Sequence, residues 1–108
     1  MSGDAKKYPF RTLKVAGKRH RVRWDQSMGD LAGNVNHQQL LILISAGMSA
    51  DEVRETLLHE LLHAVCHQQG VDIKEDANRQ ISIGIFELMR SNPGLADYIF
   101  GESDDGSD

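Results

Sequence analysis

His59-Glu60-Leu61-Leu62-His63 sets two imidazoles four residues apart, with a carboxylate directly after the first. On a helix, residues i and i+4 lie one turn apart on the same face. Both imidazoles can then reach one zinc ion at the usual bond length of about 2.0–2.1 Å. Glu60 lies about 100° round the helix from His59, near such an ion without ligating it. It is placed to take a proton from a water held there, the general-base role of the H-E-x-x-H pattern. His67 continues the spacing, but it lies about 12 Å along the axis from His59, and one ion cannot span three successive turns. Its expected role is that of a partly exposed residue near the helix end, where a protonated imidazole suits the helix dipole.

Two histidines do not complete a catalytic zinc site, which takes three protein ligands and keeps one position open. The stretch GVDIKEDAN, residues 70–78, supplies Asp72, Glu75 and Asp76 after a tight turn. An antiparallel second helix brings one of these carboxylates back to His59 and His63. Glu75 is the first choice and Asp76 the second. On a helical wheel through Ala77 and Ile81, neither side chain points along the apolar stripe. A peptidase also needs a group that stabilises the oxyanion. Tyr98, His37 and Arg79 are the candidates, and the sequence does not choose between them. Cys66 reads as a small buried thiol.

The helix that carries the motif has clear ends. Ser49-Ala50-Asp51-Glu52 is a capping box, with Met48 and Val53 placed to form the hydrophobic staple across it. Gly70 supplies the left-handed stop. The helix is expected over about 50–69, buried nearly all round except for its histidine stripe. A second helix is expected over about 73–91, with Ala77, Ile81, Ile85 and Leu88 as its apolar stripe and Met89 beside it. Asn92-Pro93 reads as an N-cap followed by proline at the first helical position, opening a short third helix over 93–100.

Upstream, Arg11–Ala16 and Arg19–Trp24 alternate apolar and basic residues, and Gly17-Lys18 between them supplies a turn, so a β-hairpin is expected. Residues 25–38 are rich in Gly, Asn and Asp and read as a loop. Leu40–Ile44 is a short continuous apolar run, best read as a strand covered on both faces. The fold class expected is α+β: a short sheet of hairpin plus strand 40–44, packed on the motif helix and the second helix. Residues 1–10 read as a loose leader, 11–101 as the domain, and 102–108 as a disordered acidic tail.

The 108 residues suit one small domain. Only 6% are aromatic, so the core must be mainly aliphatic. No apolar run approaches the roughly 18 residues needed to span a membrane, and the first ten residues lack the apolar segment of a secretory signal. A single cysteine excludes an intrachain disulfide. The cytoplasm is the expected location. Charge is uneven: residues 1–24 carry eight Lys and Arg against one acid, Asp4, a net +7, while the other 84 residues carry −11. A solvated basic hairpin accounts for this, and nucleic acid or an acidic partner is what such a face would take.

TLLHELLHAVC, then the acidic pair, then ISIGIFELMRSNPGLADYIFG resembles small zincin-type proteins of phage and prophage genomes. The ImmA/IrrE-type and SprT-like metallopeptidases are of this kind, and the smallest gluzincins are more distant. The resemblance covers about residues 36–101. It implies Zn²⁺ held by His59, His63 and an acid on the following helix, matched best by Glu75, with Glu60 as general base. It also implies a peptide or protein substrate, and that the strand before the motif helix, here Leu40–Ile44, lines the cleft with a free edge. The expected function is zinc-dependent peptide hydrolysis. The alternative is a zinc-bearing regulatory module with little turnover, associated with nucleic acid through the basic hairpin. The oligomeric state is not legible.

Overall fold

The computed structural model describes residues 8–25 and 28–101. The expected acidic tail and the first seven residues of the expected leader lie outside them. The fold is α+β. Four strands, β1 (Thr12–Val15), β2 (Lys18–Asp25), β3 (Gly33–Asn36) and β4 (Leu41–Ser45), precede three helices, α1 (Ala50–Gln69), α2 (Glu75–Ser91) and α3 (Leu95–Phe100). The sheet order is β1-β2-β4-β3, with β2 and β4 parallel and both outer pairs antiparallel.

The hairpin forms as its alternation predicts, but its turn is Ala16-Gly17, one residue earlier than expected. Both residues have positive φ, 51° and 81°, which is the two-residue turn whose twist matches that of the flanking strands. Lys18 therefore pairs with Val15 inside the ladder. Val15, His20 and Val22 are buried on the inner face, while Lys14, Arg19, Arg21 and Arg23 are exposed on the outer one. Before the hairpin, the Tyr8 ring packs tilted against Trp24 with ring centroids 5.0 Å apart, and the Trp24 Nε1 donates to Phe10 O.

Two corrections concern the sheet. The expected loop over 25–38 contains β3, which pairs Val35 with Ile42 and Gly33 with Ile44. The apolar strand also begins at Leu41, because Leu40 is left-handed at φ 53° and belongs to the preceding turn. β4 is thus central, paired on both sides, and has no free edge. The edge beside α1 is β3, which packs on that helix.

The inner face of the sheet and α1 share an aliphatic core of Val22, Ile42, Ile44 and Val53, with Leu13, Trp24, Val35, Met48, Leu57 and Leu61 packed against it. Burying an isoleucine such as Ile42 or Ile44 completely contributes about 1.5–3 kcal/mol. The bounds of α1 follow its caps. Ser49 Oγ accepts from the Glu52 amide at 3.2 Å, and Glu52 Oε1 accepts from the Ser49 amide at 3.0 Å. At the other end Gly70 is left-handed, and the Gly70 and Val71 amides donate to His67 O and Cys66 O. The helix is less enclosed than expected: Val65 is exposed and Leu58 and Leu62 are only partly buried. The sheet covers one side and α2 another, and the third side stays open.

α2 docks by a face the apolar periodicity does not mark. Its buried residues are Asn78 and Ser82, whereas Ile81 is 45% and Leu88 48% exposed. The stripe expected to enter the core faces outward along most of its length. Asn78 Nδ2 donates to His59 O (3.3 Å) and Ser82 Oγ donates to Asn78 Oδ1 (2.9 Å). At the far end Arg90 forks onto both carboxylate oxygens of Asp51 at 2.7 and 3.2 Å. α3 begins at Leu95 rather than at residue 93, with Gly94 as its N-cap. Asn92 instead turns back to donate to Leu88 O at the end of α2. Among the described residues, no helix is long and apolar enough to cross a membrane.

Candidate metal centre

α1 presents His59 and His63 one turn apart, as the spacing predicts, with their rings edge to face at 4.8 Å between centroids. Glu75, the first residue of α2, lies across from both. His59 Nε2 donates to Glu75 Oε2 at 2.9 Å and His63 Nε2 donates to Glu75 Oε1 at 2.8 Å. One ligand atom from each of the three residues falls within a 4.8 Å span. Two imidazole nitrogens and a carboxylate oxygen are donors zinc accepts, and they already converge. The donor set therefore fits a zinc ion. Asp72 and Asp76 are not in the cluster.

The docking of α2 explains why Glu75 is the acid that arrives. Glu75 precedes Asn78 by three residues and Ser82 by seven, so all three share one face. Asn78, bonded to the His59 carbonyl, anchors that face beside the motif. The wheel drawn through Ala77 and Ile81 took the wrong side of the helix as the inner one. Arg79 Nη2 also donates to Glu75 Oε2, at 3.3 Å. Partial burial pushes the Glu75 carboxyl up, but hydrogen bonds and charge from His63 and His59 outweigh it and leave the group below its ordinary value.

Glu60 is only 6% exposed. Burial pushes its carboxyl up to about 7; the charge of His63 opposes this and that of Glu75 adds to it. Its cover is the edge strand. A Cβ built on Gly33 would stand 2.9 Å from Glu60 Cγ and 2.8 Å from Thr56 Cγ2. Only glycine lets β3 pass this closely.

Two depressions that share lining residues open on the cluster. One, of about 360 Å³, includes Asp30, Glu55, Arg79 and Ser82 in its walls. The other, of about 380 Å³, includes Asn34, Val35, His37 and His63. His59, Glu60, Glu75, Leu31 and Gly33 line both. Of the three oxyanion candidates, His37 and Arg79 thus border the cleft, while Tyr98 stands 87% exposed on α3 and lines neither depression. His67 ends α1 stacked on His37, ring centroids 3.9 Å apart and planes at 8°. Apolar periodicity missed β3, Gly33, Asn78 and Ser82. The clue available for Asn78 and Ser82 was their i,i+4 polar spacing on a helix.

A helix-borne H-E-x-x-H, a carboxylate from the next helix and a sheet edge alongside define a zincin-type metal-site domain. The sequence pattern of the SprT-like family matches residues 4–78, which takes in the hairpin, the whole of α1 and Glu75. The chain belongs to that family. No curated protein and no solved structure gave a match.

Proposed function

We propose that the protein is a zinc-dependent peptidase that hydrolyses peptide bonds in extended segments of protein. The observation that carries this reading is the buried Glu60 beside three convergent zinc-type donors on an open cleft. His59, His63 and Glu75 would hold the ion. When bound, zinc polarises a carbonyl and makes water a stronger acid. Glu60 accepts the proton of the attacking water and delivers it to the leaving amine. The free edge of β3 offers backbone groups to an extended substrate, which would add as a further strand. The unpaired, buried Cys66 is compatible with a reducing cytoplasm.

Glu60→Gln tests the proposal. The variant should keep one zinc per chain and lose cleavage of unfolded casein. A variant as active as the parent would remove Glu60 from the chemistry and the peptidase reading with it.

A second reading has its own observation. Lys14, Arg19, Arg21 and Arg23 stand exposed on the outer face of the sheet, opposite α1. We propose this face as a nucleic-acid contact, through which a module of low turnover would act. Its affinity should fall steeply with salt and survive Glu60→Gln.

A further inference from the structure

A peptidase must stabilise the negative oxygen that forms when water adds to the scissile carbonyl, and the strongest such groups are donors held in place beforehand. The water oxygen bonds to the carbonyl carbon, the π pair moves onto the carbonyl oxygen, and the water proton passes to Glu60. The C–N bond then breaks, its pair goes to nitrogen with the proton from Glu60, and the carbonyl re-forms. A donor to the oxyanion holds the oxygen through both steps and gives up no proton.

Three properties single out His37. It directly follows the edge strand, in the turn after Asn36, and lines the same depression as His59, Glu60 and His63. Its Nδ1 is buried without a hydrogen-bond partner. A buried orphan N–H costs more than an orphan lone pair, which favours the tautomer that carries the proton on Nε2, as a donor. Finally, the ring is fixed by the parallel stack on His67. Burial, followed by the neighbouring His67, His63 and His20, holds His37 below its ordinary value. Arg79 lacks these properties: its side chain is 61% exposed and its guanidinium already serves Glu75.

We propose that His37 is the catalytic donor to the oxyanion, and that His67 is a positioning residue that fixes the plane of its ring. This rests on the peptidase reading. It also gives the third histidine of α1 a role outside the metal cluster.

The test uses the zinc-loaded chain with three readouts: kcat and KM on fluorescein-labelled casein, affinity for a phosphinic peptide whose tetrahedral anion mimics the oxyanion, and zinc affinity. His37→Ala should lower kcat about 100- to 1000-fold and weaken phosphinic-peptide binding by a similar factor, leaving KM and zinc affinity unchanged. His67→Ala should lose about 10-fold in kcat, and His67→Phe, which keeps a flat ring under His37, should recover most of it. Tyr98→Phe should match the parent. An His37→Ala variant with parental kcat and phosphinic affinity overturns the inference alone. A zinc-loaded parent that neither cleaves casein nor binds the phosphinic peptide overturns the peptidase reading, and this inference with it.

Discussion

Gly33 passes over Glu60 with no room for a side chain: a Cβ there would lie 2.9 Å from Glu60 Cγ, 3.0 Å from Glu60 Oε2 and 2.8 Å from Thr56 Cγ2. Its partner across the sheet is Ile44, fully buried, so the strand cannot simply back away. Gly33→Ala should cost about 1–3 kcal/mol, the usual penalty for overpacking, read as a lower urea midpoint at unchanged slope. Gly84 is the control. It lies inside α2 with nothing within 4 Å of a built Cβ, so Gly84→Ala should stabilise by about 0.5–1 kcal/mol. Equal effects at the two sites would show that the approach of β3 to Glu60 is looser than described.

Glu60 gives the metal-free protein a pH dependence with a definite sign. Its folded value of about 7 lies above the ordinary 4.5. Between those values the folded state binds more protons than the unfolded one, so stability is fully present below pH 4.5 and falls as pH rises to 7. The difference corresponds to roughly 3 kcal/mol. In chelator, Glu60→Gln should therefore melt several degrees above the parent at pH 8 and alongside it at pH 4.5. A divalent cation favours the ionised carboxylate and should shrink the gap. A gap independent of pH would show that Glu60 is not ionising in a buried setting.

What the sequence disclosed follows how local each signal is. The capping box, the Gly70 stop and the i,i+4 histidines act within one turn of helix, and α1 matches its expected bounds at both ends. β3 has one apolar residue, Val35, between two asparagines. It is a strand because it pairs with β4, a relationship that strand propensity does not carry. The inner face of α2 was hidden for another reason. Asn78 and Ser82 satisfy each other and the His59 carbonyl, and a buried polar pair of this kind leaves no trace in hydrophobic periodicity.

That inversion makes a stability prediction. Asn78→Ala removes the donor to His59 O and strips Ser82 of its acceptor in a fully buried site. It should cost about 1–3 kcal/mol. Ile81→Ala, one turn along but 45% exposed, should cost under about 1 kcal/mol. Chemical denaturation of both variants checks this, and the opposite ranking would restore the apolar stripe as the inner face. Asn78→Ala should also weaken metal binding, since it frees the face that carries Glu75.

The acid that completes the cluster can be decided by metal affinity. Glu75 and Asp76 are neighbours with the same charge, so each replacement changes the net charge and the first-turn electrostatics of α2 alike. Only Glu75 meets His59 and His63. Glu75→Gln should therefore weaken zinc binding by at least about 100-fold, beyond the 10- to 100-fold typical of groups one shell out from a metal. Asp76→Asn should leave it within about 3-fold, the scale of a first-turn dipole effect. Competition with a chromophoric chelator at pH 7.5, where imidazoles are unprotonated, measures both. Arg79 sharpens the comparison, because it bonds Glu75 without joining the cluster. Arg79→Ala removes a competing cation and should leave zinc affinity unchanged or slightly higher. A large loss in Asp76→Asn with none in Glu75→Gln would mean that α2 enters the site about a third of a turn away from the register described.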